Sequence, residues 1–301
     1  MKRRYIWPPL TVLNGKQGEW LTRKRAWLAL GIQGGLGREH MEAPKSKADI
    51  KKGSSNNICK GTSPDIRKKF EAAGSGVSIF DPVICELMYS WFCPPGGQII
   101  DPFAGGSVRG IVANLLGYQY WGVDLSSQQI NANKKQAKDI CPQKPPQWIC
   151  GDSREEIPKA PKADFIFSCP PYADLEVYSD DPRDLSNMEY VDFLESYKTI
   201  ISHCYSKLKE NRFACFVVGD VRDKKGYYRG LVADTINVFR ECGFQLYNDI
   251  VFITPVGSLS VRAGNFFNAT RKLGKQHQNI LVFIKGNPRK ATHDIIGQKE
   301  D

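Results

Sequence analysis

The chain has 301 residues, 41% of them hydrophobic and 25% charged, with a formal net charge of +10. That composition is of a globular protein with room for one large domain or two small ones. It excludes a membrane span, because no apolar run approaches the roughly 18 to 20 residues that cross a bilayer.

The N-terminal segment, residues 1–76, reads as a basic extension. Residues 1–75 hold 16 Lys and Arg against 6 Asp and Glu. MKRRYIWPPL lacks the apolar stretch of a signal peptide, so a cytoplasmic location with no membrane partner is expected. The helix-like EWLTRKRAWLAL predicts that residues 1–39 pack on something. Residues 40–76 are rich in Lys, Ser, Gly and Asn, with almost no large apolar side chains, and read as a flexible linker.

From residue 77 the pattern becomes periodic, and 77–290 reads as the main domain. FDPVICELMYSWF predicts a helix starting near Pro82, where proline is tolerated in a first turn. GQIIDPF, YQYWGVDLS, PPQWICGDS and ADFIFS predict four short strands. VRGIVANLLG and SSQQINANKKQAKDI predict the helices between the first three. MEYVDFLESYKTIISHCYSKL predicts a helix, FACFVVGD a strand and GLVADTINVFREC a helix. FQLYNDIVFIT and QNILVFIK are two late strands with no expected helix between them. Strands alternating with helices imply an α/β fold with a parallel sheet; the late pair implies an antiparallel edge. Residues 291–301 read as a tail. The nine cysteines form no C-x-x-C pair, and only four histidines accompany them; reduced core thiols and no metal site are expected.

Ligands of open α/β sheets bind beyond the carboxyl ends of the strands. DPFAGGS, 101–107, is a glycine turn there, either a ligand-approach loop or a plain βα turn; without a following Gly-Lys-Ser/Thr it is not a phosphate loop. GVDLS ends a strand with Asp124, which can take two ribose hydroxyls or cap a helix, though Ser126 suits the cap well. GDS ends another with Asp152, placed to meet an adenine amine or to cap the short REE turn. Together they describe an adenosine-containing ligand.

DPFAGGS, GVDLS, GDS and SCPPY, in this order, resemble the S-adenosylmethionine-dependent DNA methyltransferases that modify exocyclic amines, adenine N6 or cytosine N4. The resemblance covers roughly 77–285 and is nearest to phage- and prophage-type methylases. It implies a Rossmann-like seven-stranded methyltransferase sheet with an antiparallel last strand. It also implies S-adenosylmethionine as cofactor, held by Asp101, Phe103, Ala104, Gly105, Gly106, Ser107, Asp124 and Asp152, with Ser78 and Phe80 on the leading segment. Ser107 stands where the family's second loop glycine is expected, and Gly106 comes one residue early. A bacterial host cell or nucleoid is the implied location; self-protection within restriction-modification, evasion of restriction and regulation would look alike. A homodimer is compatible with all three.

Ser168, Cys169, Pro170, Pro171 and Tyr172 are the implied catalytic corner. Such chemistry needs two acceptors aimed at the amine's N–H groups. In the family these are the side chain before Pro-Pro and the first proline's carbonyl. Consecutive prolines fix that carbonyl, and Tyr172 offers a face to a flipped base. Cys169 departs from the family's Asp, Asn or Ser, and sulfur is a weak acceptor. Its near-isostery with serine favours cytosine N4, with Ser168 a candidate for the missing oxygen. Attack by the thiol itself, as in C5 methylation, is the competing role.

Residues 174–195 hold eight acids against Arg183 and read as a solvated face turned from phosphates. Residues 254–293, in contrast, carry seven Lys and Arg and no acid. Between the late strands, 255–278 is the candidate target-recognition loop, with Arg262, Phe266, Phe267, Arg271, Lys272 and Lys275 as nucleic-acid contacts; an ordinary hairpin loop with buried phenylalanines is the other possibility. Basic flanks suit a polyanion, here double-stranded DNA, and so small a recognition region predicts a short or relaxed target. An RNA methyltransferase, or a binding module with a degenerate site, would share most of these features.

Overall fold

The structure is a computed structural model that describes residues 6–37, 80–172, 181–223, 225–255 and 259–296. Its described strands form one eight-stranded sheet. In chain order the strands are β1 (Val12–Asn14), β2 (Gln98–Asp101), β3 (Gln119–Asp124), β4 (Gln147–Cys150), β5 (Ala163–Ser168), β6 (Leu208–Val218), β7 (Gln245–Ile253) and β8 (His277–Lys285). The helices are α1 (Gly18–Ala29), α2 (Pro82–Phe92), α3 (Val108–Leu115), α4 (Ser127–Ile140), α5 (Ser153–Glu156), α6 (Tyr190–Lys207), α7 (Leu231–Glu241), α8 (Leu259–Thr270) and α9 (Pro288–Ile296).

Across the sheet the order is β1-β7-β8-β6-β5-β2-β3-β4. β8 runs antiparallel to both β6 and β7, and every other pairing is parallel. This is the Rossmann-like methyltransferase sheet expected, with one correction: there are eight strands, not seven. The eighth is β1, from the N-terminal extension, which pairs Val12 to Asn14 with Val251 to Ile253 of β7. Three residues between a proline pair and a glycine turn are too short to show a periodic strand signal, so only the pairing reveals β1.

Helices cover both faces because the central strands are apolar on both. Along β6, Phe213, Cys215 and Val217 enter one core with α2 and α3, while Ala214, Phe216 and Val218 enter the other with α6 and α7. β8 repeats the alternation from Ile280 to Ile284. Asp81 caps α2 by accepting the Val83 amide, with Pro82 at the first helical position.

Residues 6–37 belong to this core. Trp20 is fully buried, edge-on to Trp7 and tilted against Phe252 of β7. Arg23 makes a two-pronged pair with Glu86 of α2, at 2.6 and 2.5 Å, and the Trp27 indole donates to the same carboxylate. The region expected as a loop between β7 and β8 holds helix α8, and the expected tail begins within α9.

Candidate active site at the sheet switch point

β2, β3 and β4 step one way across the sheet, and β5 starts the other half. The carboxyl ends of β2 and β5 therefore flank the point where strand order reverses, where no crossover helix fills the crevice. A cleft of about 650 Å³ opens there, within the range of small-molecule sites. Phe103, Gly105 and Gly106 after β2, Asp124 after β3, Asp152 after β4, and Cys169 through Tyr172 after β5 all line it.

The cleft floor is organised by a buried charge network. Asp101 is fully buried. One of its oxygens accepts from Arg109 Nε at 2.5 Å and from the Tyr120 hydroxyl at 2.6 Å. The other accepts from Ser168 Oγ at 2.5 Å and from the Phe103 amide at 3.1 Å. Arg109 also donates to the Phe103 and Ala104 carbonyls and lies 4.7 Å over the Phe80 ring. Burial would lower the Arg109 pKa, but the Asp101 carboxylate overrides it and holds the guanidinium charged. This network welds the turn after β2 to the end of β5.

Four of the expected site residues do not line the cleft. Asp101, Ala104, Ser107 and Ser168 are buried behind the lining. Ser168, expected as a stand-in acceptor, is fully buried; its hydroxyl donates to Asp101 and accepts the Phe103 amide at 3.2 Å. Ser107 donates to Gln136 of α4 at 2.6 Å. Ser78 lies outside the described residues, while Phe80 does line the cleft.

At the rim, the Gly105 amide donates to one Asp124 oxygen and the Ser126 amide to the other, each at 2.8 Å. Gly105 has φ +50°, a conformation glycine adopts without strain. Ser126, not Asp124, caps α4 by accepting the Gln129 amide. Asp152 is different. It caps α5 and takes Arg154 on both oxygens, the closest approach being 2.6 Å. Burial works against its ionised form, but the Arg154 bonds hold its pKa below the usual carboxylate range. The cap role weighed for Asp152 is thus filled, although the residue still borders the cleft.

At the CPPY corner, Cys169 Sγ stands 3.8 Å from the Tyr172 hydroxyl and 4.0 Å from the Pro170 carbonyl oxygen. Tyr172 is half-buried, and its hydroxyl accepts from Gln278 Nε2 of β8 at 2.6 Å. His277 and Gln278 at the start of β8 and Asp220 just after β6 join the lining without having been singled out as site residues in the sequence; isolated polar residues beside a strand carry no motif. Lys24 and Gly34 of the N-terminal extension also line it. A methyl group added to Gly106 would come within 3.0 Å of the Gly34 carbonyl oxygen.

Of the expected nucleic-acid residues, Lys275 lines the cleft, where burial lowers its ammonium pKa and Asp220 opposes the shift. Phe266 and Phe267 on α8 are exposed, at 45% and 41%, so the buried-pair alternative does not hold. Arg271 lies 5.0 Å over the Phe267 ring, and the Arg262 side chain lies outside the described residues. From the acidic stretch, Arg183 and Asp184 border the cleft, and Arg183 pairs with Asp181 at 2.8 Å.

Residues 163–301 match the N6/N4 methyltransferase family model, which describes a DNA methylase. The match starts at the first residue of β5 and takes in the CPPY corner. No curated protein sequence matches the chain. Among solved structures, TrmN from Thermus thermophilus aligns at 14% identity over 72% of this chain and 52% of that one, with a TM-score of 0.47. The chain thus spans about half the length of that relative. Magnesium protoporphyrin IX methyltransferase from Synechocystis PCC 6803, solved with bound SAM, aligns at 14% identity over 74% and 92%, with a TM-score of 0.44. A candidate DNA modification methylase, also from Thermus thermophilus, aligns at 21% identity over 46% and 51%, with a TM-score of 0.35.

The methylase family is S-adenosylmethionine-dependent, and the cleft fits that molecule. Asp124 presents a carboxylate held by two backbone amides at the rim. Phe103 and Leu125 give half-buried apolar walls beside it, and the chain turns at Gly105 with its backbone in the lining. Among the described residues no cluster of His, Cys, Asp or Glu could hold a metal, and no helix is long and apolar enough to cross a membrane.

Proposed function

We propose that the protein methylates an exocyclic amine of a base in double-stranded DNA, with cytosine N4 favoured over adenine N6 and a short or relaxed target. The observation that carries this is one shared cleft: the CPPY corner ending β5 faces the same 650 Å³ space as the Asp124 carboxylate ending β3.

S-adenosylmethionine supplies an electrophilic methyl group when bound. Asp124 would hold its ribose hydroxyls, and Phe103, Gly105 and Gly106 would lie along it. The remaining task falls to the CPPY corner. An exocyclic amine is a poor nucleophile because its lone pair is delocalised into the ring. Acceptors aimed at its two N–H groups favour a localised pair, and fixed acceptors cost no reorganisation. The Pro170 carbonyl is one such acceptor, its direction set by two consecutive prolines. Cys169 Sγ stands beside it as the second, weaker one. Tyr172, anchored by Gln278 through its hydroxyl, offers its ring to a base turned out of the helix. The serine-like size of Cys169 supports cytosine N4.

Duplex DNA incubated with the purified protein and S-adenosylmethionine, then digested to nucleosides for mass spectrometry, tests this directly. N4-methylcytosine is expected. N6-methyladenine would reassign the base, and transfer to structured RNA alone would overturn the DNA substrate.

A further inference from the structure

Between β6 and α7 the chain makes a tight hairpin that no motif announces. Arg222 bridges to Tyr228, the Asp223 amide donates to the Tyr227 carbonyl at 2.8 Å, and the Tyr227 amide donates to Asp223 Oδ1 at 2.9 Å. Arg222 Nη1 donates to the Gly226 carbonyl, where φ is +95°. The base of the hairpin is pinned by Asp220, whose Oδ1 accepts the Val221, Gly230 and Leu231 amides. So much internal bonding fixes the hairpin's shape.

What it holds outward is aromatic. Tyr227 is 72% exposed and Tyr228 46% exposed. The Arg222 guanidinium lies 3.8 Å over the Tyr228 ring, and Lys275 Nζ lies 5.9 Å from it. Lys272 reaches the hairpin at Gly226. Asp220 and Val221 at its base, with Lys275, border the catalytic cleft, so the patch sits on the cleft's rim. The one acid in the turn, Asp223, is spent on backbone amides. A turn that holds Tyr227 72% exposed gains little folding energy from that ring, since aromatic area stabilises only when buried.

We propose that this hairpin is a nucleic-acid docking element: Tyr227 stacks on a nucleotide flanking the target base, and Lys272 meets the adjacent phosphates. Alternating aromatic and basic groups is the chemistry that holds an unstacked strand, where base stacking on an aromatic ring carries affinity without sequence readout. It also fits a short or relaxed target. The proposal rests on the reading of the cleft as a DNA amine site.

The test is binding of a fluorescein-labelled 20-base-pair duplex, followed by anisotropy in the presence of S-adenosylhomocysteine, with methyl transfer to the same duplex measured in parallel. Tyr227→Ala should weaken duplex binding by roughly 5-fold to 150-fold, the range for loss of one stacked base, while S-adenosylhomocysteine affinity is unchanged. Tyr227→Phe, which keeps the ring, should bind as the unaltered protein does. Lys272→Ala should lower the slope of log affinity against log salt by about 1. Unchanged duplex binding by Tyr227→Ala, in a protein whose unaltered form methylates the duplex, overturns the hairpin's role and leaves the cleft's intact. If the unaltered protein neither binds nor methylates the duplex, both fall. Loss of self-association rather than of DNA binding in Tyr227→Ala, seen by sedimentation, would assign the tyrosines to a contact between two copies and also overturn the proposal. Because Tyr227 is so exposed, its substitution leaves the core untouched; if melting nonetheless shows an unfolded protein, the Phe variant and Lys272→Ala decide.

Discussion

Cys169 and Asp101 lie at different depths of the site. Cys169 faces the cleft, its sulfur at long range from the Tyr172 hydroxyl and the Pro170 carbonyl. If it is a weak acceptor in a serine's place, Cys169→Ser keeps or raises methyl transfer. Abolished transfer with intact folding and cofactor binding would instead point to a covalent thiol; radiolabel transfer distinguishes the two. Asp101 is fully buried and does not line the cleft. It holds Arg109, Tyr120, Ser168 and the Phe103 amide together. Asp101→Asn leaves the buried Arg109 charge without its counter-ion, at a cost of about 3–5 kcal/mol, measurable by urea unfolding. The sequence singles out both residues, but only Cys169 proves to lie in the cleft. A motif conveys that an aspartate ends a strand; the inward or outward turn of the next side chain depends on the sheet.

The N-terminal extension is the element whose role the sequence conveyed least. Basic composition marks it as a flank, yet β1 completes the sheet edge and Trp20 fills the core beneath β7. Trp20→Ala should therefore destabilise the whole protein by about 3–5 kcal/mol, as for large aromatic truncations in cores; a trimmed, separate tail would show no change in chemical denaturation. A second inter-element tie lies among the central strands. Asp164 of β5 accepts the Gln98 amide of β2 and pairs with Lys209 and Arg212 of β6. Burial works to raise its pKa, but those bonds together hold it below the ordinary value. A carboxylate so depressed contributes stability above its unfolded pKa of about 4, and that contribution is lost as pH falls through the folded value. The melting temperature should drop as pH is lowered below about 4. Asp164→Asn should be less stable at neutral pH and show a flatter decline on acidification.

At the scale of the whole molecule, charge is segregated: residues 76–253 carry 18 Lys and Arg against 23 Asp and Glu, while the flanks supply the excess that makes +10. Lys24 from one flank and Lys275 from the other both reach the cleft. If the flanks bind phosphates, duplex affinity falls linearly on a log–log salt scale, with a slope near −0.9 per neutralised phosphate. Titration of duplex binding across potassium chloride concentrations gives that number, and a flat dependence would show that the basic flanks do not bind the backbone.

By itself the sequence determined the alternation of β and α elements, the antiparallel final strand, and the strand-end motifs that gather at one edge. These follow from local pattern: periodicity, glycine turns and prolines that stop strands. It also located the CPPY corner and Asp124. Three things were decided by tertiary structure alone. The strand order, which places β2 beside β5, is a long-range pairing with no local signal, and it creates the cleft. The extension's entry into the sheet depends on β1 meeting an edge more than 230 positions away along the chain. Finally, a side chain's direction at a strand end selects between contact and support: Asp124 and Cys169 border the cleft while Asp101 and Ser168 hold it from behind. Asp124 and Asp101 are the same residue type at the same kind of strand end, so only the packed sheet tells them apart.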